Sequence, residues 1–121
     1  MSKKILIIED DNNLAKTVAR RLTEHGYGVL LAGDANEGIK LVRDAVPDLI
    51  ILDLMLPVGG GLSFIEKLRM AYVAIPIIVC SGTKDDVYKQ KVLATGIEAF
   101  LEKPYDSKEL INVVKNAIGD A

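Results

Sequence analysis

The chain has 121 residues, the size of one ordinary domain, and half of them are hydrophobic, enough to bury a core without staples. Its 15 basic and 17 acidic residues leave a net charge of -2, which gives no electrostatic footprint for direct nucleic-acid binding or for an anionic membrane surface. The single cysteine, Cys80, excludes an internal disulfide, and the composition fits a reducing cytosol.

The chain alternates short β-rich runs with helix-period segments. Strand 1 is expected over Lys4–Ile8. The charged start followed by Ile5-Leu6-Ile7-Ile8 has the order of a signal peptide, but Glu9-Asp10-Asp11 ends the apolar run too early for one. No stretch approaches a membrane span. Helix 1 is expected from about Asn12 to His25, with Leu14, Val18 and Leu22 on one face, and Gly26 stops it. Strand 2 covers about Gly28–Ala32. Asp34 can cap helix 2, where Ile39, Val42 and Val46 form a stripe flanked by Leu41 and Ala45, and Pro47 ends it.

Strand 3 is Leu49–Leu52, with Asp53 at its C-terminal end. The loop Pro57-Val58-Gly59-Gly60-Gly61 leads into helix 3, about Leu62–Met70. Pro76 opens strand 4, which runs to Cys80 or Ser81; Cys80 in that apolar run reads as a buried, inert thiol. Helix 4 is about Lys84–Ala94, ended by Thr95-Gly96. Strand 5 is Ala99–Glu102, and Asp106 or Ser107 caps helix 5, which extends to about Ile118.

Strands 1, 3 and 4 are unbroken aliphatic runs, the pattern of strands covered on both faces and hence of a parallel sheet between helix layers. Five β–α units with short links imply an α/β, doubly wound five-stranded sheet, in which sites form beyond the C-terminal strand ends. At those ends stand Glu9, Asp10 and Asp11 after strand 1, Asp53 after strand 3, Ser81-Gly82-Thr83 after strand 4, and Lys103-Pro104 after strand 5. If strands 1 and 3 are neighbours, three or four carboxylates share one cleft, and a hard divalent cation would relieve their repulsion. Mg²⁺ is the expected ion, with Mn²⁺ an alternative. Asp53 can then act as a nucleophile toward a phosphoryl group, with Lys103 and the Ser81 hydroxyl supplying contacts to its oxygens.

Each residue has an ordinary alternative. One of Asp10, Asp11 or Asn12 caps helix 1, Asp53 and Ser81 suit turns, and Lys103 suits a solvated surface. Asp44 and Asp85-Asp86 read as solvated helix faces or caps, and His25 as structural or solvated near a helix end. The functional reading rests on all the parts of phosphoryl transfer meeting at one sheet edge.

The ordered motifs are Ile5-Leu6-Ile7-Ile8-Glu9-Asp10-Asp11, then Asp48-Leu49-Ile50-Ile51-Leu52-Asp53-Leu54-Met55-Leu56-Pro57 with Gly61, then Pro76-Ile77-Ile78-Val79-Cys80-Ser81-Gly82, then Phe100-Leu101-Glu102-Lys103-Pro104. With them the chain resembles the receiver domain of two-component response regulators, in the manner of a single chemotaxis-type receiver, over essentially its whole length. The resemblance implies a flavodoxin-like (βα)5 fold with strand order 2-1-3-4-5, formed by residues 1–121 as one domain, alone or as part of a longer protein. It implies a cytoplasmic signalling protein that catalyses only its own phosphorylation and dephosphorylation. Asp53 would be the phosphoacceptor, supplied by a sensor histidine kinase, a histidine phosphotransfer protein or a small phosphodonor. Glu9 and Asp10 would be the acidic pair, with Asp10 a direct metal ligand and Glu9 acting mainly through water, and Met55 would offer its backbone carbonyl to the metal. Ser81 and Lys103 would meet the phosphoryl group, and Phe100 would be the switch aromatic. The surface of helix 4, strand 5 and helix 5 would then engage an effector or a second copy, with Tyr88, Lys91, Phe100 and Tyr105 as exposed reporters.

Three features depart from the commonest pattern. Gly82 stands where Ala is usual and leaves the site more open, Gly59-Gly60-Gly61 predicts a mobile loop, and Phe100 lacks the hydroxyl of a tyrosine. A flavin- or nucleotide-binding module on the same fold fits poorly, because the first loop is acidic and no G-x-G-x-x-G or G-K-[ST] is present. A metal-dependent hydrolase using Asp53 would want Asp-x-Asp, and Met55 fills the third place. A degenerate docking-only receiver would lack key residues, and none is missing.

Overall fold

The computed structural model describes residues 2–56 and 60–121; the expected loop positions Pro57, Val58 and Gly59 lie outside the described residues. Five strands, β1 (Lys4–Ile8), β2 (Gly28–Ala32), β3 (Leu49–Asp53), β4 (Ile77–Ser81) and β5 (Ala99–Glu102), form one parallel sheet in the order β2-β1-β3-β4-β5. The reason β1, β3 and β4 carry no polar alternation is visible in the packing. Leu6, Ile8, Ile50, Leu52, Ile77 and Val79 enter one core, while Ile5, Ile7, Leu49, Ile51, Ile78 and Cys80 enter the other. Successive side chains point to opposite faces, so a strand buried on both sides must be apolar throughout.

The helices are α1 (Asn12–Glu24), α2 (Ala35–Ala45), α3 (Gly60–Met70), α4 (Asp86–Leu93) and α5 (Ser107–Ile118). Helices α1 and α5 cover one face of the sheet, and α2, α3 and α4 the other. Aspartates cap four of them. Asp11 accepts from the N–H groups of Asn13 and Leu14, Asp34 from Glu37, Asp85 from Tyr88 and Asp106 from Glu109. Asp11 therefore takes the capping role at α1 and leaves Asp10 available for other work.

Several expectations shift. Helix α4 begins at Asp86 rather than Lys84, because Asp85 is its cap. Val46 does not join the buried stripe of α2; it ends the helix in a left-handed conformation with φ 45° and is 66% exposed. Helix α3 starts at Gly60, so the second and third glycines are helical rather than loop. Gly61 is buried, and its N–H donates to the Leu54 carbonyl at 3.1 Å. A Cβ at Gly61 would lie 2.8 Å from Leu54 Cα, which is why no side chain fits there. At the other end of α3, the Arg69 guanidinium donates to the carbonyls of Val73 and Ile75 on its own connection and to those of Thr95 and Gly96 beyond α4.

Candidate functional site

Strand order reverses between β1 and β3, and a crevice opens beyond the carboxyl ends of such strands. Glu9 follows β1 directly, and its N–H donates to the Ala32 carbonyl at 3.0 Å, which holds its side chain at the crevice, 6% exposed. Asp53 is the last residue of β3 and is also buried, whereas Asp10 is exposed. One carboxylate oxygen from each of Glu9, Asp10 and Asp53 lies within 4.8 Å of the others.

Ser81 closes β4 and Lys103 follows β5, joined by the Lys103 N–H donating to the Ser81 carbonyl at 2.9 Å. The Lys103 ammonium stands 3.6 Å from Asp53 Oδ1 and 3.7 Å from Glu9 Oε1. Asp53 Oδ1 also accepts the Met55 N–H at 3.1 Å, while the Met55 side chain is exposed. The Ser81 hydroxyl is buried and accepts the Thr83 N–H at 3.1 Å. Of the residues that the sequence places at this edge, Glu9, Asp10, Asp53 and Lys103 come together there, with Ser81 at the adjoining end of β4.

The electrostatics are short of positive charge. Burial, reinforced by the neighbouring Asp53 carboxyl and by the charge of Asp10, pushes the Glu9 carboxyl up to about 8, and Lys103 only partly opposes this. Glu9 Oε2 is buried with no hydrogen-bond partner among the described residues. An orphaned buried carboxylate oxygen beside two further carboxylates fits a hard cation with oxygen ligands, of the Mg²⁺ type.

Phe100 lies on β5 beside Val79 of β4 and is half-buried against the core under α4. The Lys89 ammonium sits 4.9 Å from its ring centroid and bonds Glu102 at 2.7 Å. The sequence reading missed this stack. A lysine on α4 carries no signal of its own, and the only available clue was that Phe100 and Glu102 share one side of β5. Two proposed reporters are less exposed than expected. Tyr88 is half-buried against the core on the α4 side, as Phe100 is, and Tyr105 is half-buried against the core on the α5 side. Lys91 is exposed. Burial pushes the Cys80 thiol up to about 12, in keeping with an inert cysteine. His25 is exposed, and its Nδ1 donates to the Arg21 carbonyl at 2.9 Å, closing the last turn of α1.

Comparison with known proteins gives a consistent picture. The family model of the response regulator receiver domain matches residues 5–115. The uncharacterized transcriptional regulatory protein YcbL of Bacillus subtilis (strain 168) is 35% identical over 113 residues, which is 93% of this chain and 50% of that protein. The chain spans about half the length of the curated relatives it matches. Among solved structures, the receiver domain of the Francisella response regulator 1452 superposes with TM-score 0.86 at 29% identity, covering 93% of this chain and 94% of that one. The chemotaxis response regulator CheY4 of Vibrio cholerae does so with TM-score 0.88 at 28% identity, covering 98% and 100%.

Proposed function

Because the chain belongs to the response regulator receiver domain family of two-component signalling, we propose that it accepts a phosphoryl group on Asp53 and relays that event through α4, β5 and α5. The observation that carries this reading is the convergence of Glu9, Asp10 and Asp53, with the Lys103 ammonium 3.6 Å from Asp53.

An Asp53 carboxylate oxygen attacks the phosphorus of the donor, the bond from phosphorus to the donor breaks, and the donor leaves with that electron pair. The product is an acyl phosphate. Lys103 is a cation for the phosphoryl oxygens, and the Ser81 hydroxyl donates to another once it turns from the Thr83 N–H. Glu9, Asp10, Asp53 and the Met55 backbone carbonyl would hold Mg²⁺, or Mn²⁺, which when bound offsets the charge of the phosphoryl oxygens. Glu9 Oε2, with no hydrogen-bond partner among the described residues, is available to that arrangement. Its only catalysis is its own phosphorylation and dephosphorylation.

The donor is a sensor histidine kinase, a histidine phosphotransfer protein or a small phosphodonor. Movement of Ser81 toward the phosphoryl group vacates space on the α4 side, and Phe100, already half-buried there, turns inward to fill it. The altered α4–β5–α5 face then binds an effector or a second copy of the chain. The curated relatives are transcriptional regulators, which favours control of transcription as the eventual output. We place the protein in the cytoplasm, on the ground of its membership of the receiver domain family. No helix among the described residues is long and apolar enough to cross a membrane.

Acetyl phosphate with Mg²⁺ should add one phosphoryl group, read by intact mass and mapped to Asp53. Asp53→Asn should accept none, and Lys103→Ala should bind Mg²⁺ nearly normally but transfer poorly. A phosphoryl group found elsewhere, or transfer equally fast in chelator, overturns the reading.

A further inference from the structure

Opposite the crevice, where β3 and β4 begin, a cleft of about 560 Å³ separates the C-terminal ends of α2 and α3. Its walls are aliphatic, with Ile39 and Val42 from α2 facing Leu68, Val73 and Ile75 from α3 and the chain after it. Among the described residues, the charged side chains lining it are Arg43 and Lys67, both positive. Arg43 also meets Asp44 at 3.1 Å, but that pair is well exposed on both sides, and Asp44 does not line the cleft.

The apolar surface continues past the cleft. Val46 lines it and is 66% exposed; Tyr72, between the lining residues Ala71 and Val73, is 94% exposed. Both occupy left-handed backbone, with φ 45° and 59°, which β-branched and aromatic residues seldom adopt. Helix ends of this kind usually take glycine, which would have presented no side chain. Here the backbone instead holds two large apolar groups out at the cleft's margin, and strained positions of this sort tend to mark places where something is gripped.

We propose that this cleft is a docking site for a protein segment carrying an apolar helix face flanked by carboxylates, and that it operates independently of phosphorylation at Asp53. Charge selects the partner: two cations at an aliphatic groove complement acidic flanks on an apolar ridge. Extent argues against a small amphiphile, which would fill the cleft and leave Val46 and Tyr72 in water. A symmetric pairing of two copies would bring the like charges of Arg43 and Lys67 together. The site stands at the start of β3, whereas Asp53 is at its end, so docking here leaves the crevice open.

The test is an amide NMR titration of the whole chain with three probes. One is a short helical peptide with leucines at i, i+3, i+4 and i+7 and glutamates on both flanks; the second is the same peptide with lysines for the glutamates; the third is dodecanoate below its micelle concentration. The acidic peptide should shift amides at the ends of α2 and α3. The double variant Arg43→Glu/Lys67→Glu should bind it roughly tenfold more weakly, equivalent to about 1.4 kcal/mol, and should prefer the lysine peptide. Tyr72→Ser should weaken binding severalfold, and Asp53→Asn should leave it unchanged even if no phosphorylation chemistry is found at that residue. The proposal is overturned if the acidic peptide produces no shifts there, if both peptides bind alike, if charge reversal has no effect, or if dodecanoate alone binds. Concentration-dependent shifts of these amides without peptide would assign the face to a second copy and also overturn it.

Discussion

The Lys89 ammonium rests 4.9 Å above the Phe100 ring and from there bonds the Glu102 carboxylate at 2.7 Å. This stack favours the half-buried position of Phe100 over an inward one. The cation–ring contact is worth about 0.5–1 kcal/mol, and the exposed pair with Glu102 adds little. Lys89→Ala should therefore move the inward population of Phe100 up by roughly two- to fivefold before any phosphorylation. Ring and methyl chemical shifts, compared with the beryllofluoride-bound form, measure it; a variant whose spectrum stays at the wild-type resting position contradicts the latch.

The raised Glu9 carboxyl gives the metal-free protein a distinctive pH dependence. Between the ordinary glutamate range and about pH 8, folded Glu9 keeps a proton that the unfolded chain has released. Unfolding then releases a proton, so stability is greatest below about pH 4.5 as far as this group is concerned and falls as pH rises toward 8. In chelator, urea midpoints should decline across that window for wild type and lie flatter for Glu9→Gln. Saturating Mg²⁺ should abolish the decline, because bound cation favours the ionised site.

Gly82 has room beside it. A Cβ there would meet Lys103 Cβ at 3.7 Å, an ordinary contact, and its backbone lies outside the left-handed region. Gly82→Val should fold normally and shield the acyl phosphate from water, slowing its hydrolysis roughly fivefold, or about 1 kcal/mol in the barrier. Decay of the phosphorylated form, followed by mass, gives the answer, and an unchanged rate would remove Gly82 as the route for water.

Gly61 is the opposite case. Its missing Cβ would press on Leu54 Cα at 2.8 Å and on the Asp53 carbonyl at 3.3 Å, and neither backbone atom can yield cheaply. Gly61→Ala should cost about 1–3 kcal/mol, read as a lowered urea midpoint with unchanged slope, and should slow phosphorylation by displacing the Asp53–Leu54 backbone. Gly82→Ala, as control, should stay near wild type.

Much of this was legible because burial on both faces forces β1, β3 and β4 to be aliphatic throughout, so the strands and the polar residues that terminate them stood out. Glu9, Asp53, Ser81 and Lys103 were placed by that logic alone. What escaped depends on side-chain phase and close approach. Val46 has the spacing of a core residue, yet it lies past the point where α2 turns left-handed. The glycine run suggested a loop, whereas Gly60 and Gly61 open α3, because Gly61 must lie against Leu54. Lys89 could be assigned to Phe100 only once the rotation of α4 over β5 was known.

The Arg69 guanidinium ties the connection after α3 to the turn after α4 through four carbonyl groups. The far end of α4 is thus pinned, while its first turn follows the Ser81–Asp85 segment beside the crevice. With eight residues, α4 is a lever about 12 Å long. On the proposed switch, a pull at Ser81 would tilt α4 about its pinned far end, with the displacement largest at Asp86 and smallest at Leu93, so a partner docked on this helix would meet a change of angle rather than a shift.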